Sequence, residues 1–203
     1  MRDRIIFFLT LLWIIAGAVF LTILFSIPLF RIEMYTDHLA QAAQVSSRAL
    51  WHNYLVLMNY LLNPWVPQLH LPDFPSSKDG LQHFSEVKRL FMLVMGMILV
   101  LFPAVILFVK EHLRFVFHNA LRFLMIFPIL IALIAFLIGF DQFFILFHEV
   151  LFADSTWLFD PAKDPIITVL PEQFFMHLFL VFGGFYEGAF YFLYRFRFPR
   201  TRK

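Results

Sequence analysis

The sequence contains no cysteine, and only 15% of its 203 residues are charged. Without cysteine there can be no disulfide, thiol nucleophile, thiolate metal ligand or cysteine-linked lipid. A soluble domain is about half apolar and a quarter charged. Here 61% of residues are hydrophobic. One core of this size cannot hide that excess, so lipid must cover much of it. The length suits one compact bundle, and residues 1–203 are read as a single integral membrane domain. There is no internal repeat and no low-complexity tract.

Charge is missing altogether from long stretches. Ile5 to Phe30, Leu90 to Val109 and Phe123 to Phe140 carry none, and the last remains apolar past Asp141 to Phe147. Gln173 to Tyr194 is interrupted only by Glu187. A helix needs about 20 such residues to cross a bilayer core. The first run follows Arg2 and Arg4, as a signal peptide would. It is too long for a cleaved segment, and Ser26-Ile27-Pro28 is no cleavage site, so it is read as an uncleaved anchor. Pro103 and Pro128 predict kinks inside two spans. Pro171-Glu172 reads as a helix start, with proline in the first turn and a carboxylate near the positive helix end. The expected fold is all-α: four transmembrane helices, at about 5–30, 90–109, 123–147 and 173–194, capped by extracytoplasmic segments.

Lysine and arginine set the orientation. Arg2, Arg4, Lys110, Arg114, Arg122, Arg195, Arg197, Arg200, Arg202 and Lys203 fall on one side of the four spans, which is read as the cytoplasm. Both termini lie there. Residues 31–89 and 141–173 lie outside, where most carboxylates fall. The basic C-terminal tail is read as a topology signal beside anionic lipid, with no nucleic-acid partner.

In the first outer segment Leu50, Tyr54, Leu57, Met58 and Leu61 recur at helical spacing, flanked by the interface-seeking Trp51, Tyr60 and Trp65. This predicts a helix on the outer leaflet that ends at Asn63-Pro64. It would serve as a packing lid, a wall of a lipid-facing site, or both. Residues 67–80 are rich in turn formers.

Of eight histidines, His112 and His118 are expected to make inner interfacial contacts, and His38, His52 and His70 to be solvated. His177 is expected as a hydrogen-bonding residue inside the fourth span. His83 and His148 each sit where an outer segment meets a span, and so share one membrane depth. Each has acids near it in sequence: Glu86 three residues after His83, Asp141 seven before His148, and Glu149 next to it. Two convergent imidazoles at headgroup level would make a general acid–base pair. Glu187 is either functional or bonded to a neighbouring helix, and Gly184 and Gly188 beside it predict a close helix approach.

Competing motifs are weak. His148-Glu149-Val150-Leu151-Phe152 begins like H-E-x-x-H, but Phe152 replaces the second ligand. Gly139-Phe140-Asp141 is a fragment of an aspartyl intramembrane protease pattern without a second intramembrane aspartate. Neither G-x-S-x-G nor G-K-S/T occurs.

The run Phe143-Phe144-Ile145-Leu146-Phe147-His148-Glu149, then Trp157-Leu158-Phe159-Asp160-Pro161, Asp164-Pro165 and Leu170-Pro171-Glu172-Gln173-Phe174-Phe175, resembles the bacterial lipoprotein intramolecular transacylases, Lit. The stretch from Ser76 to Lys88 also resembles that family's loop before the second span, and the four-span plan matches. The resemblance implies that a glycerol-ester acyl chain of a diacylglyceryl-modified lipoprotein moves to the cysteine α-amino group, giving the lyso-form. It implies His83 and His148 as the essential histidines, with no cofactor and no metal. His148 is assigned as base and His83 as acid, although the sequence leaves those roles exchangeable. Glu86, Asp141 and Glu149 would either orient the imidazoles or serve only as solvated loop hydrogen bonders. Lys88, Arg89 or the backbone amides after Pro171 would stabilise the oxyanion, and Trp157 would line the acyl groove. The partners are then a lipoprotein N-terminus and membrane lipid, in a bacterial cell membrane, with the site facing the outer leaflet. The rivals are a non-catalytic assembly protein and a metal-dependent membrane hydrolase.

Overall fold

The computed structural model describes residues 1–195, and within them every regular element is helical. Arg197, Arg200, Arg202 and Lys203 of the basic tail lie outside the described residues. Helix α1 (Arg2–Thr36) is the axis of the bundle; α2 (Leu39–Ala42) and α3 (Ser47–Leu62) follow it. Helix α4 (Lys78–Lys110) packs along α1. Two short helices, α5 (Leu113–Val116) and α6 (His118–Leu124), lead into α7 (Phe127–Ile138) and α8 (Phe140–Leu151). A 3₁₀ turn (Pro165–Val169) precedes α9 (Glu172–Arg195), which also packs on α1. Four helical stretches are long and apolar enough to cross a membrane: α1, α4, His118–Ile138 and α9.

At 1.5 Å rise per residue, the 33 residues of α4 span about 50 Å. A hydrocarbon core is about 30 Å thick, so one end must project. The charged turns before Leu90 are that end, and they carry His83. The opposite end is tied to the chain start, where Arg2 Nη2 lies 2.6 Å from Glu111 Oε2.

The main core lies at the His83 end. Phe30 and Met34 of α1, Leu50, Tyr54 and Leu57 of α3, Phe84 of α4, Val169 and Phe174 pack there. Tyr54 stacks on Phe30 at 3.8 Å and donates to Ser26 Oγ at 2.9 Å. Helix α3 starts at Ser46, whose hydroxyl accepts the Ala49 N–H, and stops at Asn63 before Pro64, as its sequence predicts. Asn53, fully buried, holds the following loop by exchanging hydrogen bonds with Asp73. The spanning segments are covered far less: Leu99 is 76% exposed and Phe136 83%. These side chains face the place of lipid.

Three details depart from the sequence reading. The apolar stretch 123–147 is divided at Gly139, whose φ of +86° lies outside the helical range. The crossing stretch ends at Ile138, and α8 is a separate amphipathic helix laid against α9: Phe140, Phe143 and Phe147 all meet Phe179, while Leu146 and Val150 face outward. Pro128 sits in the first turn of α7, where its missing N–H costs nothing, so it starts a helix instead of kinking one. Around Gly184 and Gly188, a Cβ would meet nothing within 4 Å, so among the described residues no close helix contact forms at that pair.

Candidate active site

His83 is positioned from the start of α4. Ser77 caps the helix, its hydroxyl accepting the Gly80 N–H at 3.0 Å. Asp164, buried at 3% exposure, brings its carboxylate to the same helix end and accepts the Ser77 N–H at 2.7 Å. That placement also suits the positive end of the helix dipole. The approach needs Gly80, because a Cβ there would stand 2.3 Å from Asp164 Oδ1. Asp164 therefore fastens the α8–α9 connection to α4, one turn before His83. Two rings from that connection then wall the imidazole: Phe152 at 4.6 Å and Phe159 at 5.4 Å, centroid to centroid. His83 is 7% exposed and its Nδ1 is buried without a partner.

His148 comes from the last turn of α8. Its Nδ1–H donates to the Phe144 carbonyl at 2.8 Å. In the neutral ring this leaves the lone pair on Nε2. Trp157 stacks on the ring at 4.8 Å and Phe144 flanks it at 4.2 Å. The two imidazoles lie 6.0 Å apart, and Phe152 contacts both. Phe152, which spoils the zinc-protease motif, is thus the apolar wall shared by the histidines.

Both imidazoles are held neutral near pH 7. Burial lowers His83 to about 4; the neighbouring His148 adds to this and Asp154 opposes it. Burial also lowers His148, against the Phe144 hydrogen bond. At 6.0 Å the pair disfavours a second proton once one is present.

Beside His83 lies a polar rim. Gln82 Nε2 donates to Asp154 Oδ2 at 2.8 Å and to Glu86 Oε1 at 3.2 Å. Thr156 Oγ1 lies 2.6 Å from Asp154 Oδ1 and 3.4 Å from Glu86 Oε2. These contacts hold the exposed Asp154 carboxylate ionised, lowering its pKa. Asp154, Gln82 and Thr156 carry no signal in the sequence, since only folding brings the loop onto α4.

Of the remaining residues singled out from sequence, Trp157 and Glu86 join the site. Arg89 is 72% exposed on the side chain, 3.8 Å from Glu86. Glu149 is exposed. Asp141 stands near Glu172 at the start of α9, and the His148 Nδ1 partner is a backbone carbonyl. Lys88 is occupied elsewhere: its ammonium donates to the Asn63 and Val66 carbonyls and sits 4.4 Å from the Tyr60 ring centroid. It closes the end of α3. His38, His52 and His70 are exposed. His118 stacks on Tyr194, and His177 bonds the buried Glu33 at 2.8 Å. Among the described residues, no three histidine, aspartate or glutamate side chains converge as metal ligands.

These features define a multi-pass, all-helical membrane protein with two histidines meeting at one end. The family model of the lipoprotein intramolecular transacylase Lit matches residues 4–175, and the chain belongs to that family. Three solved structures of the membrane integral lipoprotein intramolecular transacylase Lit from Bacillus cereus resemble it. The first is 29% identical with a TM-score of 0.81, over 95% of this chain and 93% of the other. The second and third carry arginine or alanine in place of one histidine; they are 30% and 31% identical, with TM-scores of 0.73 and 0.71 over 95% of this chain and 89% and 90% of theirs. Comparison with the curated proteins gives no match. The chain is accordingly an acyltransferase of the lipoprotein-modifying kind.

Proposed function

We propose that His83 and His148 carry out intramolecular acyl transfer on a diacylglyceryl-modified lipoprotein, moving one glycerol-ester acyl chain to the cysteine α-amino group. The observation that carries this is the pair of neutral imidazoles 6.0 Å apart in an aromatic enclosure. The α-amino nitrogen attacks the ester carbonyl, a C–N bond forms and the C–O bond to glycerol breaks. One proton must travel from nitrogen to the departing glycerol oxygen. His148, with Nε2 free, takes it and returns it. His83 starts neutral, so it serves as a ring N–H donor to the ester or glycerol oxygen and not as a pre-charged acid. This refines the acid role expected from sequence. Each role is worth about 10²- to 10⁴-fold, and joining amine and ester in one molecule supplies much of the remainder. Trp157 and the phenylalanine walls suit an acyl chain, while Glu86 belongs with the polar rim. Arg89, Asp141 and Glu149 have no role in this scheme, and Lys88 a structural one.

The site faces the outer leaflet and the termini are cytoplasmic, a reading supported by the lysine and arginine bias of the loops. In intact spheroplasts, Ala162→Cys should react with an impermeant thiol reagent and Asn119→Cys should not; the reverse pattern would invert the orientation. His83→Ala and His148→Ala should each lose at least ~10²-fold in rate at normal membrane levels. If either keeps more than about a tenth of the wild-type rate, it takes no part in the proton transfers.

A further inference from the structure

The polar rim contains two carboxylates with no cation between them. The neutral Gln82 amide donates to both Asp154 and Glu86, and the neutral Thr156 hydroxyl bonds Asp154 at 2.6 Å and lies 3.4 Å from Glu86. Among the described residues Asp154 has no ion pair. Arg89 touches only Glu86, at 3.8 Å, from an exposed position. Two carboxylates joined only through neutral donors present negative charge to the outside, and a cation arriving there would be attracted to them. Next to them His83, 93% hidden from solvent by its 7% exposure, has an Nδ1 without a partner, and it feels the charge of Asp154. The rim is therefore an anionic socket at the edge of the two-histidine enclosure.

We infer that Asp154 and Glu86 receive the α-ammonium group of the lipoprotein substrate and hold it beside His83 and His148 before transfer. The assignment rests on the acyl-transfer function proposed above. An N-terminal α-amino group has a reference pKa of about 8 and arrives mostly charged near neutrality. The carboxylates bind that charged form. The ammonium then gives up one proton to water along the exposed face of Asp154, and the neutral amine swings to the ester. In the transfer step a second proton moves from nitrogen to the glycerol oxygen. The product nitrogen is an amide and carries no charge. The socket therefore holds substrate and not product, which favours release after one turnover.

The socket can be read without turnover. An ether-linked dialkylglyceryl lipopeptide cannot react; it is prepared with a free α-amine and as its N-acetylated twin. Each is labelled at the C-terminus, and binding is measured at pH 7 in lipid nanodiscs. Wild type should bind the free amine about 10-fold more tightly than the twin or better, a ratio typical of one charge-assisted contact. Asp154→Asn combined with Glu86→Gln should bring the two ligands within about twofold, with affinity for the twin unchanged. Asp154→Glu should retain the preference. A double variant that keeps the wild-type preference, or a wild type that shows none, overturns the assignment. His148→Ala should keep the preference in this assay. Binding thus reports on the socket alone, and turnover of the histidine variants reports separately on the catalytic pair.

Discussion

The Asp164 carboxylate accepts the Ser77 backbone N–H at 2.7 Å, over a glycine that has no room for a methyl group. This contact joins two parts of the chain that contribute to one site. Ser77 starts the helix that carries His83, and Asp164 ends the loop that carries Phe152, Asp154, Trp157 and Phe159.

Gly80→Ala should therefore push Asp164 away from α4. Overpacking of this kind costs about 1–3 kcal/mol. Asp164→Ala should cost a similar amount by leaving the Ser77 N–H and helix end unsatisfied. Thermal unfolding in detergent should show a lower Tm for both, with a fall in turnover larger than that of a comparably destabilising core change away from the site, such as Leu121→Ala in α6. Wild-type turnover in either variant would mean that the clamp does not position the site.

Much of this arrangement is legible in the sequence, and the rest is not for physical reasons. Three uncharged runs and a fourth interrupted only by Glu187 mark the four crossings, because lipid tolerates little else. The helical spacing from Leu50 to Leu61 marks α3. His83 and His148 stand out because each lies at a span edge. The break at Gly139 is invisible to hydropathy, since α7 and α8 are both apolar; only the backbone at φ +86° separates them. Asp164 looks like one more loop carboxylate until it is found buried against Gly80. Lys88 looks like a substrate cation because of its place near His83, but its side chain turns toward the end of α3.

That difference is testable. Lys88→Met leaves the Asn63 and Val66 carbonyls without their donor. It should lower the Tm by an amount corresponding to about 1–2 kcal/mol, with KM for the lipopeptide unchanged. A raised KM at unchanged Tm would return Lys88 to the substrate site.

The pH dependence follows from two lowered histidines. Such a group is neutral above its own pKa, and the base form is lost as the pH falls through that value. For His148 this lies below the ordinary value of about 6.5, and for His83 at about 4. The kcat should rise with pH from below neutrality, go on rising as the bound α-ammonium deprotonates, and show no descending limb up to about pH 9. A pre-charged His83 acid would instead make the rate fall above neutrality. A bell-shaped profile with its alkaline limb near pH 7 would show that one imidazole must start charged.

The most direct test is the mass and acyl position of the product. Purified enzyme is given one diacylglyceryl lipopeptide in detergent, with excess chelator and no phospholipid donor. Intramolecular transfer adds and removes no atoms, so substrate and product must have the same mass, and fragmentation should find one acyl chain moved from glycerol to the α-amine. A product lighter by one acyl chain would mean hydrolysis, and loss of activity in chelator would mean a metal-dependent reaction. An unchanged lipopeptide with well-folded enzyme would contradict the account.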